Sequence, residues 1–177
     1  MKVTIEETKV GFAPICVRQP QLHDLVDDPL KVCGIATGFE GRISARVRDD
    51  SGAAIAEASI RAGGTGNWGN FQAEIDLGGP PASAQGTLEV FNRGGAGDEI
   101  ESNKVVVPIV FGTALIKQYF GFEQYEVQSG DTLRALADRF YGDANLWTRL
   151  FEANRNQVIN PDRIFPGQVL RVPIGPE

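Results

Sequence analysis

Up to about residue 111, apolar and polar residues alternate along the chain, which is typical of β-strands with one buried face. The clearest segment is 42–48, where the odd-numbered positions should face a core. Its even-numbered positions, Arg42, Ser44, Arg46 and Arg48, should face outward. The inward positions of the three best strands are Ile43, Ala45 and Val47; Phe71, Ala73, Ile75 and Leu77; and Val105, Val107, Ile109 and Phe111.

Weaker alternation predicts further strands, and glycine-rich or aspartate-rich turns separate them. About seven short strands with a turn every 8–12 residues or so form the pattern of an antiparallel β-sandwich. We therefore predict a sandwich over residues 1–111, with its core at 13–111. The weaker strands are at 3–10, 15–17, 30–35, 54–60 and 88–91, and the turns are at 49–52, 63–67, 78–81 and 94–97.

After residue 123 the apolar spacing becomes helical and predicts two short helices, one with Leu133, Leu136, Ala137 and Phe140 on a single face. Asp131 or Thr132 can cap its start, and Gly142 can end it. The second helix has a stripe of Trp147, Leu150, Phe151 and Asn154, with Asp143 or Asn145 as its cap.

Short strands at 125–127 and 169–172 enclose the two helices. The order strand, helix, helix, strand predicts a small α+β domain over residues 124–177. The segment 112–123 is a short linker that is too apolar for a flexible tether. The fold class is thus mainly β, a sandwich followed by a βααβ domain.

The charge and the hydropathy of the chain disfavour two classes of partner. Its 177 residues carry a formal net charge of −6, and the pI is near 4.9. An acidic chain repels phosphate backbones, so we expect no nucleic acid partner. No apolar run approaches the ~20 residues of a membrane span, so we expect no membrane insertion.

The opening residues MKVTIEETKV lack the apolar core of a signal peptide, which predicts a cytoplasmic protein as the sequence stands. Contact with the cell envelope would then require another export route or a longer chain.

No set of residues has the pattern of a catalytic or metal site. The single histidine, His23, lies in a predicted turn, and Cys16 has no evident activating base. Cys16 and Cys33 lack zinc-ligand spacing, and we favour two reduced thiols over a disulfide, which the predicted strands also permit. We expect a non-enzyme without cofactor or metal. The acidic clusters Asp24, Asp27 and Asp28, and Asp98, Glu99 and Glu101, lack the spacing of an EF-hand loop.

The C-terminal half contains four blocks in one compact window: YEVQSGDTL (125–133), LADRFYGD (136–143), ANLWTRLFEANR (144–155) and NPDRIFPGQVLRVP (160–173). In this order and spacing they resemble a LysM domain. The resemblance implies a groove between two loops that binds N-acetylglucosamine units of peptidoglycan or chitin. The residues it assigns to that groove are Ser129, Gly130, Asp131, Thr132 and Leu133 in the first loop, and Asn160, Pro161, Asp162, Arg163 and Ile164 in the second.

The stretch 15–111 resembles the immunoglobulin-like domain associated with bacterial spore germination. The residues that carry this resemblance are PLKVCG (29–34), FEG (39–41), the turn at 49–52 and WGNF (68–71). The chain departs from the family at 92–95, where NRGG replaces an acidic run of small residues. The resemblance implies adhesion or assembly, and hence a protein partner for this domain.

Together the two resemblances predict a non-catalytic adaptor, with a LysM module on peptidoglycan-type glycan and an immunoglobulin-like domain for protein contact or positioning. The same motif residues would also be present in a LysM scaffold that has lost sugar binding. The single LysM copy and its subtype leave a second hypothesis, a cytoplasmic component of a phage-tail-like or contractile injection particle. A third is an intracellular ion-sensing or stress-sensing protein.

Overall fold

The computed structural model describes residues 14–37, 40–64, 66–94 and 100–176. The strand predicted at 3–10 and the turn residues 95–97 lie outside the described residues, as do Asp98 and Glu99 of one acidic cluster.

Two sheets packed face to face make up the first part of the chain, which confirms the predicted sandwich. One sheet has three strands in the order β1-β3-β6, and the other has five in the order β2-β8-β7-β4-β5. The strands are β1 (Ile15–Gln19), β2 (Asp24–Val26), β3 (Leu30–Ala36), β4 (Arg42–Asp49), β5 (Ala54–Arg61), β6 (Gly69–Ile75), β7 (Gln85–Gly94) and β8 (Ile100–Phe111).

The inward positions of the three best strands form the centre of the sandwich core, as the alternation predicts. Ala73 and Val105 are only partly buried, and the remaining inward positions are buried. Strand β2 was not predicted. It has three residues and joins the sheet by parallel pairing with β8, in which Val26 lies opposite Phe111. A segment this short has too few positions to display an alternation.

Ser44 and Arg46 face outward from β4, as predicted, but neighbouring side chains cover them, and they are only 7% and 9% exposed. β4 lies between β5 and β7, and charged side chains from β5, β7 and β8 cover it. Arg46 Nε contacts Glu57 Oε2 at 2.8 Å, and Arg46 Nη2 contacts Glu101 Oε1 at 2.6 Å. The Arg46 guanidinium also lies 4.8 Å from the centroid of the buried Phe91 ring. The outer face of this sheet therefore has an ion-pair layer over an aromatic side chain.

The segment after β8 packs closely against the rest of the chain. It begins with one helical turn, α1 (Gly112–Leu115), and leads to the buried Tyr119. A Cβ atom at Gly112 would lie 2.4 Å from Tyr119 Cδ1, so only glycine fits beneath this ring. Burial raises the pKa of Tyr119 to about 12.

The second part of the chain has the predicted order of strand, two helices and strand. Thr132 caps the first helix, since its Oγ1 accepts from the Ala135 N–H at 3.2 Å, and Gly142 ends it at a φ of 68°. Asp143 caps the turn that precedes the second helix. The elements are β9 (Gly121–Glu126), α2 (Leu133–Tyr141), a 3₁₀ turn (Ala144–Leu146), α3 (Trp147–Ala153) and β10 (Val169–Ile174).

The end of α3 packs on the outer face of the five-stranded sheet, and we call this contact the seam. Val110 is 2% exposed there, and it clusters with Leu115 and Ala153. Gln85 Nε2 donates to the Glu152 carbonyl at 3.0 Å. The seam explains why Val110, at an outward position of β8, is buried.

A second polar contact crosses the seam from β10. Arg171 Nη1 donates to the His23 carbonyl at 2.5 Å, and burial lowers the pKa of Arg171. Apolar packing and these hydrogen bonds together hold the two parts of the chain against each other. Among the described residues, no helix has the length and apolar character needed to cross a bilayer.

Candidate functional site

The loop between β9 and α2 is held in shape by Asp131. Its Oδ2 accepts from the Tyr125 hydroxyl and from the Gln128 N–H, both at 2.8 Å. The Gln128 N–H, followed by the Tyr125 hydroxyl, lowers the pKa of Asp131, so this side chain is a carboxylate at neutral pH. The same contact with Asp131 raises the pKa of Tyr125.

The loop before β10 has its own internal hydrogen bonds. Asn160 Oδ1 accepts from the Asp162 N–H at 3.0 Å, and the Asn160 carbonyl accepts from the Arg163 N–H at 3.0 Å. These bonds form an Asx turn followed by a backbone turn. They direct the next residue, Ile164, against the core of the domain, where it is half-buried.

Backbone pairing brings the two loops side by side. The Val127 N–H donates to the Gln168 carbonyl at 2.9 Å, and the Gly167 N–H donates to the Val127 carbonyl at 2.9 Å. The first loop therefore leaves the sheet next to the point where the second loop enters it.

A groove of about 230 Å³ opens between the loops and the first residues of α2 and α3. Six of the ten residues that the LysM resemblance assigns to the site line it. Leu133 is one of them, but it is 2% exposed and its side chain belongs to the domain core. The lining residues are Asp131, Thr132, Leu133, Arg134, Trp147, Pro161, Asp162 and Ile164.

The other four predicted residues lie outside the groove lining. Ser129 and Gly130 are exposed, and Gly130 has a φ of 91°, which explains the glycine. Asn160 shapes its loop through the contacts above, and Arg163 is exposed beside it. Gly130 and Asn160 thus shape the loops without lining the groove.

Sequence reasoning missed two residues of the groove, Arg134 and Trp147. Trp147 was predicted as part of a core stripe, and it does pack against the core. As the first residue of α3 it also lines the groove, so one side chain contacts both. Arg134 Cζ lies 5.6 Å from the centroid of the Trp147 ring. The spacing of apolar residues carries no signal for an exposed arginine at the second position of a helix.

The groove has the chemistry of a small polar-apolar site. Trp147 and Ile164 provide apolar surface on one side, and Thr132, Arg134 and Asp162 provide hydroxyl, guanidinium and carboxylate groups. An amphipathic ligand with one apolar face and several hydrogen-bonding groups fits such a lining.

The cysteines and the histidine lie away from this groove. Cys16 is exposed and Cys33 half-buried, and both are free. They are not opposite each other on β1 and β3, because Cys16 pairs with Ile35 and Cys33 pairs with Gln19. Within the described part of the chain, no group of three or more His, Cys, Asp or Glu residues could hold a metal ion.

Comparison with known families identifies both parts of the chain. Residues 14–97 match the immunoglobulin-like domain of bacterial spore germination, and residues 125–173 match the LysM domain. The chain therefore carries an immunoglobulin-like domain of this type followed by a LysM domain. Both are binding modules rather than catalytic domains.

The curated relatives share only short stretches with this chain. It is 55% identical over 49 residues to the Potassium binding protein Kbp of Escherichia coli, covering 28% of this chain and 33% of that protein. It is 50% identical over 54 residues to the Esterase Rv1288 of Mycobacterium tuberculosis, covering 30% of this chain and 11% of that protein. The chain thus spans about a third or less of the length of these relatives.

Among solved structures, one similarity is to a MoCVNH3 variant (Mo0v) in complex with (N-GlcNAc)4. The sequence identity is 27% and the TM-score 0.25, over 55% of this chain and 58% of that chain. A TM-score this low does not indicate a common overall arrangement.

Proposed function

We propose that this protein is a non-catalytic binding protein whose LysM groove contacts a glycan that contains N-acetylglucosamine, such as peptidoglycan. The observation that carries the proposal is the convergence of the two loops on one groove with Trp147 in its wall. Sugars present apolar C–H faces beside hydroxyl and acetamido groups, and an aromatic ring beside polar side chains matches both.

The immunoglobulin-like domain has a positioning role in this proposal and offers a surface for a protein partner. The seam supports positioning, since Val110, Leu115 and Ala153 are buried together there. A LysM domain held in this way presents its groove in a fixed direction relative to the sandwich.

Tryptophan fluorescence tests the proposal directly, because the chain has only two tryptophans, Trp68 and Trp147. Trp68 lies in the sandwich and is 47% exposed. In a Trp68→Phe variant, Trp147 is the sole emitter, and titration with chitotetraose should change its intensity or wavelength. The Trp147→Phe variant keeps Trp68 as emitter and should show no change.

Sedimentation with insoluble peptidoglycan and chitin complements the titration. The wild type should co-sediment, and Trp147→Ala should lose binding while the matched Trp68→Ala variant keeps it. If the folded wild type does not bind at protein concentrations of about tens of micromolar, which are high enough to detect weak binding, the proposal is rejected. Both domains would then be regarded as protein-docking parts of a larger assembly.

One observation favours a second candidate, an ion-sensing role. The relative that is 55% identical over 49 residues is named for potassium binding. Ligand binding to the native state raises the unfolding temperature. Unfolding should then occur at a higher temperature in KCl than in NaCl of equal ionic strength, and equal temperatures in the two salts would contradict this role.

A further inference from the structure

Arg134 combines a place in the groove lining with a contact to an aromatic ring. It lies at the edge of the groove, with its Cζ 5.6 Å from the Trp147 ring centroid. A cation over an indole face is held in position by the ring quadrupole. The side chain is exposed, so the guanidinium stays in contact with solvent beside the ring.

Among the residues that the structure describes, the guanidinium of Arg134 has no polar partner. In the described part of the chain, Arg134 forms no ion pair and donates no side-chain hydrogen bond. Arg46, in contrast, is bonded to Glu57 and Glu101. A guanidinium has five N–H donors in a planar fork that matches the two oxygens of a carboxylate. Arg134 is therefore a cation beside the Trp147 ring that is available to a ligand.

Two carboxylates line the same groove and act against an acidic ligand. Asp131 directs Oδ2 to the Tyr125 hydroxyl and the Gln128 N–H, which offset part of its charge. Asp162 is exposed, and solvent screens an exposed charge strongly. The protein as a whole has a net charge of −6 and repels anions, so an acidic glycan needs a local cation to bind here.

We propose that Arg134 is a specificity-determining residue of the groove, which binds a carboxylate on an acidic N-acetylglucosamine glycan and favours it over a neutral chitin-type chain. The ligand class is a glycan with carboxylate substituents, such as the lactyl groups of muramyl sugars. This inference rests on the proposed glycan-binding function.

The test compares three tetrasaccharides by calorimetric titration: chitotetraose, a GlcNAc–MurNAc tetrasaccharide with free carboxylates, and the same muramyl chain with its carboxylates methyl-esterified. The wild type should bind the free acid more tightly than the ester. Arg134→Gln should weaken binding of the free acid about three- to tenfold, as expected for loss of a partly exposed charge-assisted hydrogen bond. Its affinities for the ester and for chitotetraose should fall less than its affinity for the free acid.

Two further variants make the comparison specific. Arg149 also lies over an aromatic ring, at 5.5 Å from the Tyr141 centroid, but outside the groove lining, so Arg149→Gln should leave all three affinities unchanged. Asp162→Asn removes a competing negative charge and should tighten binding of the free acid relative to binding of the ester and of chitotetraose.

The failures of the two proposals are distinguishable. If the folded wild type binds none of the three sugars, the glycan-binding function itself is rejected. If it binds them and the preference for the free acid is absent, or is the same in Arg134→Gln, the role of Arg134 is rejected while glycan binding stands.

Discussion

The side-chain amide of Asn154 pairs with both backbone polar groups of Arg171. Asn154 Nδ2 donates to the Arg171 carbonyl at 2.7 Å, and Asn154 Oδ1 accepts from the Arg171 N–H at 2.8 Å. Gln157 Nε2 likewise donates to the Val169 carbonyl at 2.8 Å. These amides take the place of a neighbouring strand on the open edge of β10, where unpaired groups would otherwise attract another chain.

Asn154→Leu should therefore destabilise the protein strongly. Asn154 is fully buried, and its loss leaves the N–H and carbonyl groups of Arg171 without partners. Unsatisfied buried groups cost about 1–3 kcal/mol each, so we expect the free energy of unfolding to fall by about 2–4 kcal/mol in urea denaturation. The exposed Asn145 is the control, and Asn145→Leu should change the free energy little. A loss below about 0.5 kcal/mol for Asn154→Leu, the range of neutral surface changes, would show that the pairing is dispensable.

The ion-pair layer on the sandwich should make stability depend on pH. The hydrogen bond from Arg46, and then that from Lys104, lowers the pKa of Glu101 from 4.5 to about 2. A carboxyl with a lowered pKa in the folded state stabilises the protein above the unfolded pKa, and this contribution disappears as the pH falls from 4.5 towards 2. The free energy of unfolding of Glu101→Gln should be lower than that of the wild type at pH 6, and the two values should converge as the pH falls from 4.5 towards 2.

The exposed Glu74 on β6 serves as the control for this measurement. The free energy of unfolding of Glu74→Gln, measured by urea denaturation, should follow that of the wild type from pH 6 to pH 2. A constant difference between Glu101→Gln and the wild type over that range would show that Glu101 does not contribute through its charge.

A charged side chain introduced at the seam should separate the two domains. Val110 is 2% exposed and Val106 is 49% exposed, and both lie at outward positions of β8. Val110→Lys places an ammonium group among apolar side chains and should undock the LysM domain, whereas Val106→Lys should have no effect. NMR relaxation measures the outcome: one rotational correlation time for both domains in the wild type, and two shorter times in Val110→Lys. A single rotational correlation time in Val110→Lys as well as in Val106→Lys would contradict a seam that depends on the packing of Val110.

The segment between the domains should tolerate no side chain at Gly112. A methyl group there meets the Tyr119 ring at 2.4 Å, and such overpacking costs about 1–3 kcal/mol. Gly112→Ala should lower the unfolding temperature, while Gly64→Ala, where a Cβ meets nothing within 4 Å, should not. Equal unfolding temperatures for the two variants would mean that the Tyr119 ring moves aside at little cost.

The sandwich could be predicted from the sequence because period-2 alternation is a property of each strand alone. The cover over Arg46 could not be predicted in this way, since it depends on Glu57 and Glu101 from other strands. Strand β2 was missed for a related reason, because its pairing partner, β8, lies more than 70 residues further along the chain.

The two groove loops were assigned by family resemblance, and the structure brings six of the ten assigned residues together. Helical spacing placed Trp147 on a core face but could not indicate that the first residue of a helix also borders an open groove. Arg134 has no periodic signal at all, and its role depends on the ring beside it.

The seam also limits the transfer of the LysM domain to another protein as an independent unit. A cut just before Tyr125 would remove four of the six residues of β9 and the Phe120 N–H that donates to the Ile174 carbonyl, and it would leave Ala153 uncovered. A transplanted LysM unit from this chain therefore has to begin near Gly112 and needs a host surface that replaces Val110. A fragment reduced to the LysM motif alone would expose the apolar surface of Ala153 that the seam covers.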